Sequence, residues 1–332
     1  MSKVTLSRAP VRICDIGGWT DTWFYPKGAV LNFCICLYSH VRIIRNNLNK
    51  INIISEDLQL STKIEDYQNI YYDGTLDLLK AAVKRMGIQT GIDIFVRADA
   101  PSGCGTGTSA SIAVALIAAL ARFLHKNNTP HEIATLAHKL ETEELKLESG
   151  VQDQYAAAYG GINFMEVEYP LVDISNIEIK DERICELETR LILVYFSSRS
   201  SDLMHKGVIE NFKKGDEKTL KALDIIKSCA YEMKKALHSD NLSYMGEIMN
   251  KNWEAQKILH NLMTNSIINK AEKVAKENGA IGFKLNGAGG GGSTTILSGL
   301  GCEYKIKKKL IENGFKLLPT KLNFKGVQTW QV

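Results

Sequence analysis

The strongest constraint on this chain is the stretch "APSGCGTGTSASIAVALIAAL", residues 100–120, where a glycine- and hydroxyl-rich loop runs straight into an unbroken apolar segment. An extended segment, Ile92 to Arg97, precedes it, so the expected order is strand, loop, long helix to about Lys126. Backbone N–H groups at a helix start lack partners within the helix and, with the helix dipole, favour an anion there. Gly103, Gly105 and Gly107 allow close backbone approach, while Thr106, Thr108 and Ser109 offer hydroxyls to phosphate oxygens or Mg²⁺. The ordinary P-loop is excluded, because GxxxxGK[ST] needs a lysine after the glycines and none follows. A flexible loop with a threonine N-cap would read the same way, and the stretch alone does not choose between the two.

A second glycine run, "KLNGAGGGGSTTIL", places Gly287, Gly289 and Gly292 in GxGxxG spacing. The dinucleotide fingerprint requires a helix next, whereas β-branched "STTIL" reads as a strand. Strand, glycines, strand points instead to a tight connection or to a lid over a phosphate loop. Polar residues set in apolar surroundings form a third group. Arg12 and Asp21 stand in "APVRICDIGGWTDT", and Asp153 stands in "LETEELKLESGVQDQYAAAYGG". Singly, each has an ordinary explanation: an outward strand position, a turn aspartate and a helix N-cap.

The 332 residues exceed one typical domain, and the composition, 45% hydrophobic and 23% charged, is that of an ordinary globular protein. Forty-one basic against thirty-seven acidic residues leave +4 spread along the chain, with no arginine-rich or aromatic nucleic-acid motif. No sustained apolar stretch follows the early lysine, and the longest apolar run, Ile112 to Leu120, is too short for a bilayer. The seven scattered cysteines contain no CxxC pair, so buried thiols and a cytoplasmic location are expected, with neither nucleic acid nor membrane as partner.

Strands are predicted at Val4 to Ser7, Ala29 to Arg45, Lys50 to Ser55 and Ile92 to Arg97, with helices at Leu76 to Met86 and Pro130 to Leu145. Beyond Ser197 the pattern turns to long amphipathic helices, Glu217 to His238, Leu242 to Met263 and Ile267 to Asn278, before strands return around the glycine run. The class is α+β, with a division expected between residues 1–190 and 191–332.

Taken together, the three stretches resemble, in order and spacing, the three motifs of the GHMP small-molecule kinases. Ala9-Pro10-Val11-Arg12 with Gly17, Thr20 and Asp21 resembles the first, Pro101 with Gly105 to Ala110 the second, and Gly287 to Gly292 the third. The resemblance implies a two-domain fold, an N-terminal ribosomal protein S5 domain 2-like unit and a C-terminal ferredoxin-like one. It implies ATP and Mg²⁺ as cofactors, with Pro101, Gly103, Gly105, Thr106, Gly107, Thr108, Ser109, Gly289 and Gly290 around the nucleotide. Asp153 takes the place of the general base, Arg12 that of the cation beside it, and Gly18, Thr20 and Asp21 the sugar side. Ser109 would ligate Mg²⁺ together with a glutamate from the helix ahead of Asp153. Helical angles put Glu144 nearest the apolar stripe and Glu141 at its border; alignment on "GVQDQ" favours Glu141, which we take. "GGWTDT" and "GVQDQYAAAYGGINFMEV" look most like the branch that phosphorylates D-glycero-D-manno-heptose 7-phosphate at the anomeric oxygen. A fucose- or galactose-type sugar 1-kinase and a silent nucleotide-binding regulator are the rival readings. Thr106 and Thr108 depart from the usual leucine and serine of the second motif.

Overall fold

The computed structural model describes residues 3–197 and 202–332, without the side chains of 202 and 203. The chain runs β1 (Val4–Ile16), β2 (Gly28–Arg45), β3 (Ile51–Ser55), β4 (Leu60–Ile64), α1 (Asp77–Met86), β5 (Ile92–Ala98), α2 (Thr108–Phe123) and α3 (Pro130–Lys139). It continues with a π turn over Leu140–Glu144, α4 (Gln152–Tyr159), β6 (Ile162–Glu168), β7 (Leu171–Asn176), α5 (Asp181–Arg190) and β8 (Leu191–Ser197). Then come α6 (Asp202–Lys213), α7 (Glu217–His238), α8 (Leu242–Leu259), α9 (Ser266–Glu277), β9 (Ala280–Leu285), β10 (Gly292–Ser298), α10 (Glu303–Glu312), β11 (Lys316–Leu318) and β12 (Gln328–Gln331).

Two sheets carry this order. The first has the path β12-β1-β2-β5-β3-β4, with β6 pairing β2 and β7 pairing β6. The second is β11-β8-β10-β9, which with α10 between β10 and β11 is the βαββαβ order of a ferredoxin-like unit. The chain does not stay in the second unit to its end. Within the expected 191–332 unit, Gln328–Gln331 returns to pair with Thr5–Arg8 and closes the edge of the first sheet.

β1 is much longer than the predicted Val4 to Ser7, and its burial shows why. Its first residues alternate, one face to the core, whereas from Ala9 onward every residue is buried. There α7 and α8 cover the second face: Val11, Ile13, Leu31 and Phe33 share one apolar cluster with Met233, Met245 and Met249. On the other face lies α2, wrapped by α1, α3 and α4. Its run from Ala113 to Ala121 is buried throughout, as an all-apolar helix must be. Pro10 is tolerated in β1 because the register with β2 shifts between Pro10 and Val11.

β12 pairs with β1 only as far as Arg8, so the rest of that edge is open to other partners. Arg12 N–H donates to Thr106 O at 3.0 Å, and Cys14 N–H donates to Asn286 Oδ1 at 2.9 Å. Both glycine loops are thereby hung on one strand edge. No helix among the described residues is long and apolar enough to cross a membrane.

Asn286 is fully buried; its Oδ1 also accepts from Thr295 Oγ1 at 2.9 Å, and its Nδ2 donates to Ser293 Oγ at 3.0 Å. Asn286→Ala would leave the Cys14 N–H without its acceptor in a buried place, an expected loss of about 1–3 kcal/mol in folding stability. Urea denaturation midpoints check this; an unchanged midpoint would mean the two units do not depend on that bond.

Candidate active site

A cleft of about 820 Å³ opens between the two units. One wall is the loop that enters α2. Gly103, Gly105 and Gly107 all lie at positive φ, 68°, 77° and 73°, where glycine is favoured. Gly107 is the N-cap of α2 and supplies no side-chain cap, so the threonine cap of the alternative reading is absent and the first-turn N–H groups face the loop uncapped. A Cβ on Gly107 would lie 2.9 Å from Asp153 Cγ, so the loop seats directly against that carboxylate.

Asp153 lies in the first turn of α4, with Val151 as N-cap, so it is not itself the cap. Arg12 Nε donates to Asp153 Oδ1 at 2.8 Å, and the Arg12 guanidinium also donates to Gly105 O. Arg12 is buried. Burial works against its charge, but Asp153, Asp15 and Asp21 outweigh it and raise its pKa above the ordinary value.

Ser109, two residues beyond the N-cap Gly107, lines the cleft, and its Oγ lies 3.5 Å from Glu141 Oε1. The predicted helix Pro130 to Leu145 ends early, at Lys139, and passes into the π turn. Leu145 N–H bonds back five residues to Leu140 O at 3.1 Å, which changes the angular spacing and turns Glu141 inward. Glu144, which regular helical angles favour, instead receives Lys84, Arg85 and Tyr72 from α1 and its approach. Glu141 is buried and accepts from Ser149 Oγ at 2.6 Å and Gln154 Nε2 at 2.8 Å. Burial pushes its pKa up to about 7; the Ser149 bond lowers it, the Asp153 charge raises it, and the Ser109 and Gln154 bonds lower it.

Asp21 is reached by the Gln152 backbone N–H at 3.1 Å, and burial, the largest cause, pushes its pKa up to about 6. Thr20 is correctly placed next to it but has another task. Its hydroxyl bonds Gly17 O at 2.8 Å and accepts from Ala29 N–H at 3.1 Å, so it pins the turn and does not face the cleft. Gly18 packs on Asp15 and Gln152. Pro101 closes a turn with Cys104 N–H, and Thr106 is fully buried, its Oγ1 3.3 Å from Thr108 Oγ1. In the second glycine run, Gly287 and Ala288 line the cleft, whereas Gly289 and Gly290 pack on Met263, Leu262 and Met204. Gly292 abuts the first loop: a Cβ there would lie 2.7 Å from Cys104 O.

Several cleft residues escaped the sequence reading. Asp15 is buried and takes the Gly287 N–H on both carboxylate oxygens at 3.1 Å, with Lys284 Nζ at 3.4 Å. A lysine inside apolar "AIGFKLNG" was the signal for it. Trp19, Lys146, His205 and Lys206 also line the cleft, as do Leu58, Leu60, Leu76, Leu79 and Ile112, an apolar wall near the loop.

The donors present fit a hard cation. An alcohol and a buried carboxylate stand together beside an anion-binding loop, the kind of oxygen set Mg²⁺ takes when phosphates complete its shell. Among the described residues no cluster of three or more His, Cys, Asp or Glu could hold a metal by itself.

The GHMP kinases N terminal domain profile matches residues 73–161, and the GHMP kinases C terminal profile matches residues 233–314. The D-glycero-alpha-D-manno-heptose 7-phosphate kinase of Campylobacter jejuni is 32% identical, over 99% of this chain and 100% of that protein. A bifunctional fucokinase/GDP-fucose pyrophosphorylase of Arabidopsis thaliana is 29% identical over 87% of this chain, which spans 29% of that longer protein. The crystal structure of a D-glycero-D-manno-heptose 1-phosphate kinase from Bacteroides thetaiotaomicron superposes with a TM-score of 0.82 at 25% identity, covering 99% of each chain. This chain therefore belongs to the GHMP kinases. It is an ATP-dependent kinase with that family's two-domain α+β fold.

The raised pKa of Glu141 has a thermodynamic consequence in the ligand-free protein. Between its ordinary 4.5 and about 7, the folded state keeps a proton that the unfolded chain has released, so stability falls as pH rises through that window and stays low above it. Glu141→Gln should remove this slope. The variant is expected to be more stable than the parent at pH 8, by up to about 3 kcal/mol, and to converge with it near pH 5. Denaturant midpoints at several pH values measure the difference; parallel curves would contradict the assignment.

Proposed function

We propose that the chain is a sugar kinase that transfers the γ-phosphoryl group of Mg·ATP to the anomeric C1 hydroxyl of a sugar, D-glycero-D-manno-heptose 7-phosphate. The observation that carries this reading is the pair of buried Arg12 and half-buried Asp153 at 2.8 Å, set against Gly107 at the mouth of an uncapped helix. The loop N–H groups and the first turn of α2 would receive the phosphates. Ser109 and Glu141 would hold Mg²⁺, which neutralises phosphate oxygens when bound.

Asp153 accepts the proton of the attacking hydroxyl, and Arg12 orients the carboxylate while stabilising the charge that moves onto phosphoryl oxygens. An anomeric hydroxyl is more acidic than an ordinary alcohol, so a carboxylate beside an arginine suffices as base. Asp21 supplies an acceptor for a sugar hydroxyl. The heptose phosphate names of two relatives support the substrate, and the fucokinase relative supports an L-fucose-type alternative.

ADP release from Mg·ATP across a panel of heptose phosphates, fucose and galactose tests the proposal. Turnover is expected on heptose 7-phosphate, and Asp153→Ala should lower kcat by about 10²–10⁴-fold. A variant at the parental rate would remove Asp153 from the base role. Absence of turnover on every sugar, with ATP still bound, would favour a nucleotide-binding regulator.

A further inference from the structure

We infer that Lys206 and Trp19 form a subsite for the phosphate that the sugar already carries, so that they select a phosphorylated substrate; this rests on the sugar-phosphate reading above. The wall of the cleft can be followed by contacts away from the phosphate loop. Asp153 is preceded by Gln152, whose N–H binds Asp21 at 3.1 Å; two residues before Asp21 is Trp19, whose ring lies 4.9 Å from that of His205, and Lys206 follows. All of these line the cleft.

Trp19 is unusual in two ways. It is 5% exposed, yet its indole Nε1 has no hydrogen-bond partner among the described residues, and an unpaired buried donor is costly. Its φ of +82° lies in the left-handed region that bulky residues seldom adopt. A donor held in a strained backbone at a cleft wall is open to an acceptor carried by a ligand.

Lys206 supplies the charge. Arg12, at the reacting end, is taken by Asp153 and Gly105 O, whereas Lys206, beside the His205 that packs on Trp19, enters no ion pair among the described residues and is exposed on α6. A neutral sugar offers nothing to match an ammonium group, while a phosphate monoester offers two charges to it and an acceptor oxygen to the indole N–H.

The experiment compares kcat/KM for heptose 7-phosphate with that for the same heptose without phosphate, in the parent, Lys206→Ala, Lys206→Arg and Trp19→Phe. The parent should prefer the phosphorylated sugar. Lys206→Ala should reduce that preference by about tenfold to a hundredfold, through KM for the sugar, and Lys206→Arg should restore most of it. Trp19→Phe, which keeps a ring and removes the donor, should reduce it about fivefold. A parent with no preference overturns both the subsite and the heptose 7-phosphate reading. A parent that prefers the phosphate, with Lys206→Ala equally selective, overturns the subsite and leaves the kinase reading standing.

Discussion

The Arg12 guanidinium is buried, and a buried cation must be paired and hydrogen-bonded on several sides if the fold is to keep it. Its Nε bond to Asp153 ties β1 to α4, its bond to Gly105 O ties β1 to the glycine loop that enters α2, and Asp15 stands 4.0 Å away. Three chain segments far apart in sequence are therefore fixed by one side chain. Removing a partner from such a pair leaves an uncompensated charge, typically about 3–5 kcal/mol, so these segments cannot drift independently. The same bonds hold the carboxylate and the loop in mutual register, which is the preorganisation that phosphoryl transfer requires.

The second constraint is the open edge of β1. A strand edge that is neither paired nor covered is a liability, and here the stretch beyond Arg8 is used by Thr106 O and by the Asn286 side chain. Asp15 extends this arrangement by binding Gly287 N–H and facing Lys284. Burial lowers the Lys284 pKa while Asp15 raises it, so the pair is held together across the two units against its own desolvation. The second unit is thus more than a cover. Its glycine run reaches the cleft at Gly287 because a carboxylate on β1 holds its backbone there.

Legibility followed the physics of each feature. The all-apolar face of α2, the strand character of "STTIL" and the ordered motifs could be read, because burial, β-branching and glycine content are local properties. Glu141 could not be placed by helical angles, since one five-residue hydrogen-bonded turn shifts the register that those angles assume. Thr20 and Gly289 share their motifs' positions but not their roles, because a hydroxyl or a backbone spent inside the protein leaves no mark in the sequence. The two departures, Thr106 and Thr108, face each other at 3.3 Å, which makes them one compensated feature of the loop.

Several positions where local rules fail lie at or near the cleft. Glu141 and Asp21 are buried carboxylates with raised pKa values, Trp19 combines an unpaired donor with a left-handed backbone, and Cys14, at φ +52°, lies two residues from Arg12. Elsewhere the apolar clusters obey the ordinary packing of a sheet between helices. A folded chain keeps such departures where other interactions over-determine them, and here the over-determination comes from Arg12 and the β1 edge. Glu141, Asp21 and Trp19 all line the cleft, so a ligand that takes their groups there would relieve an existing penalty instead of imposing a new one.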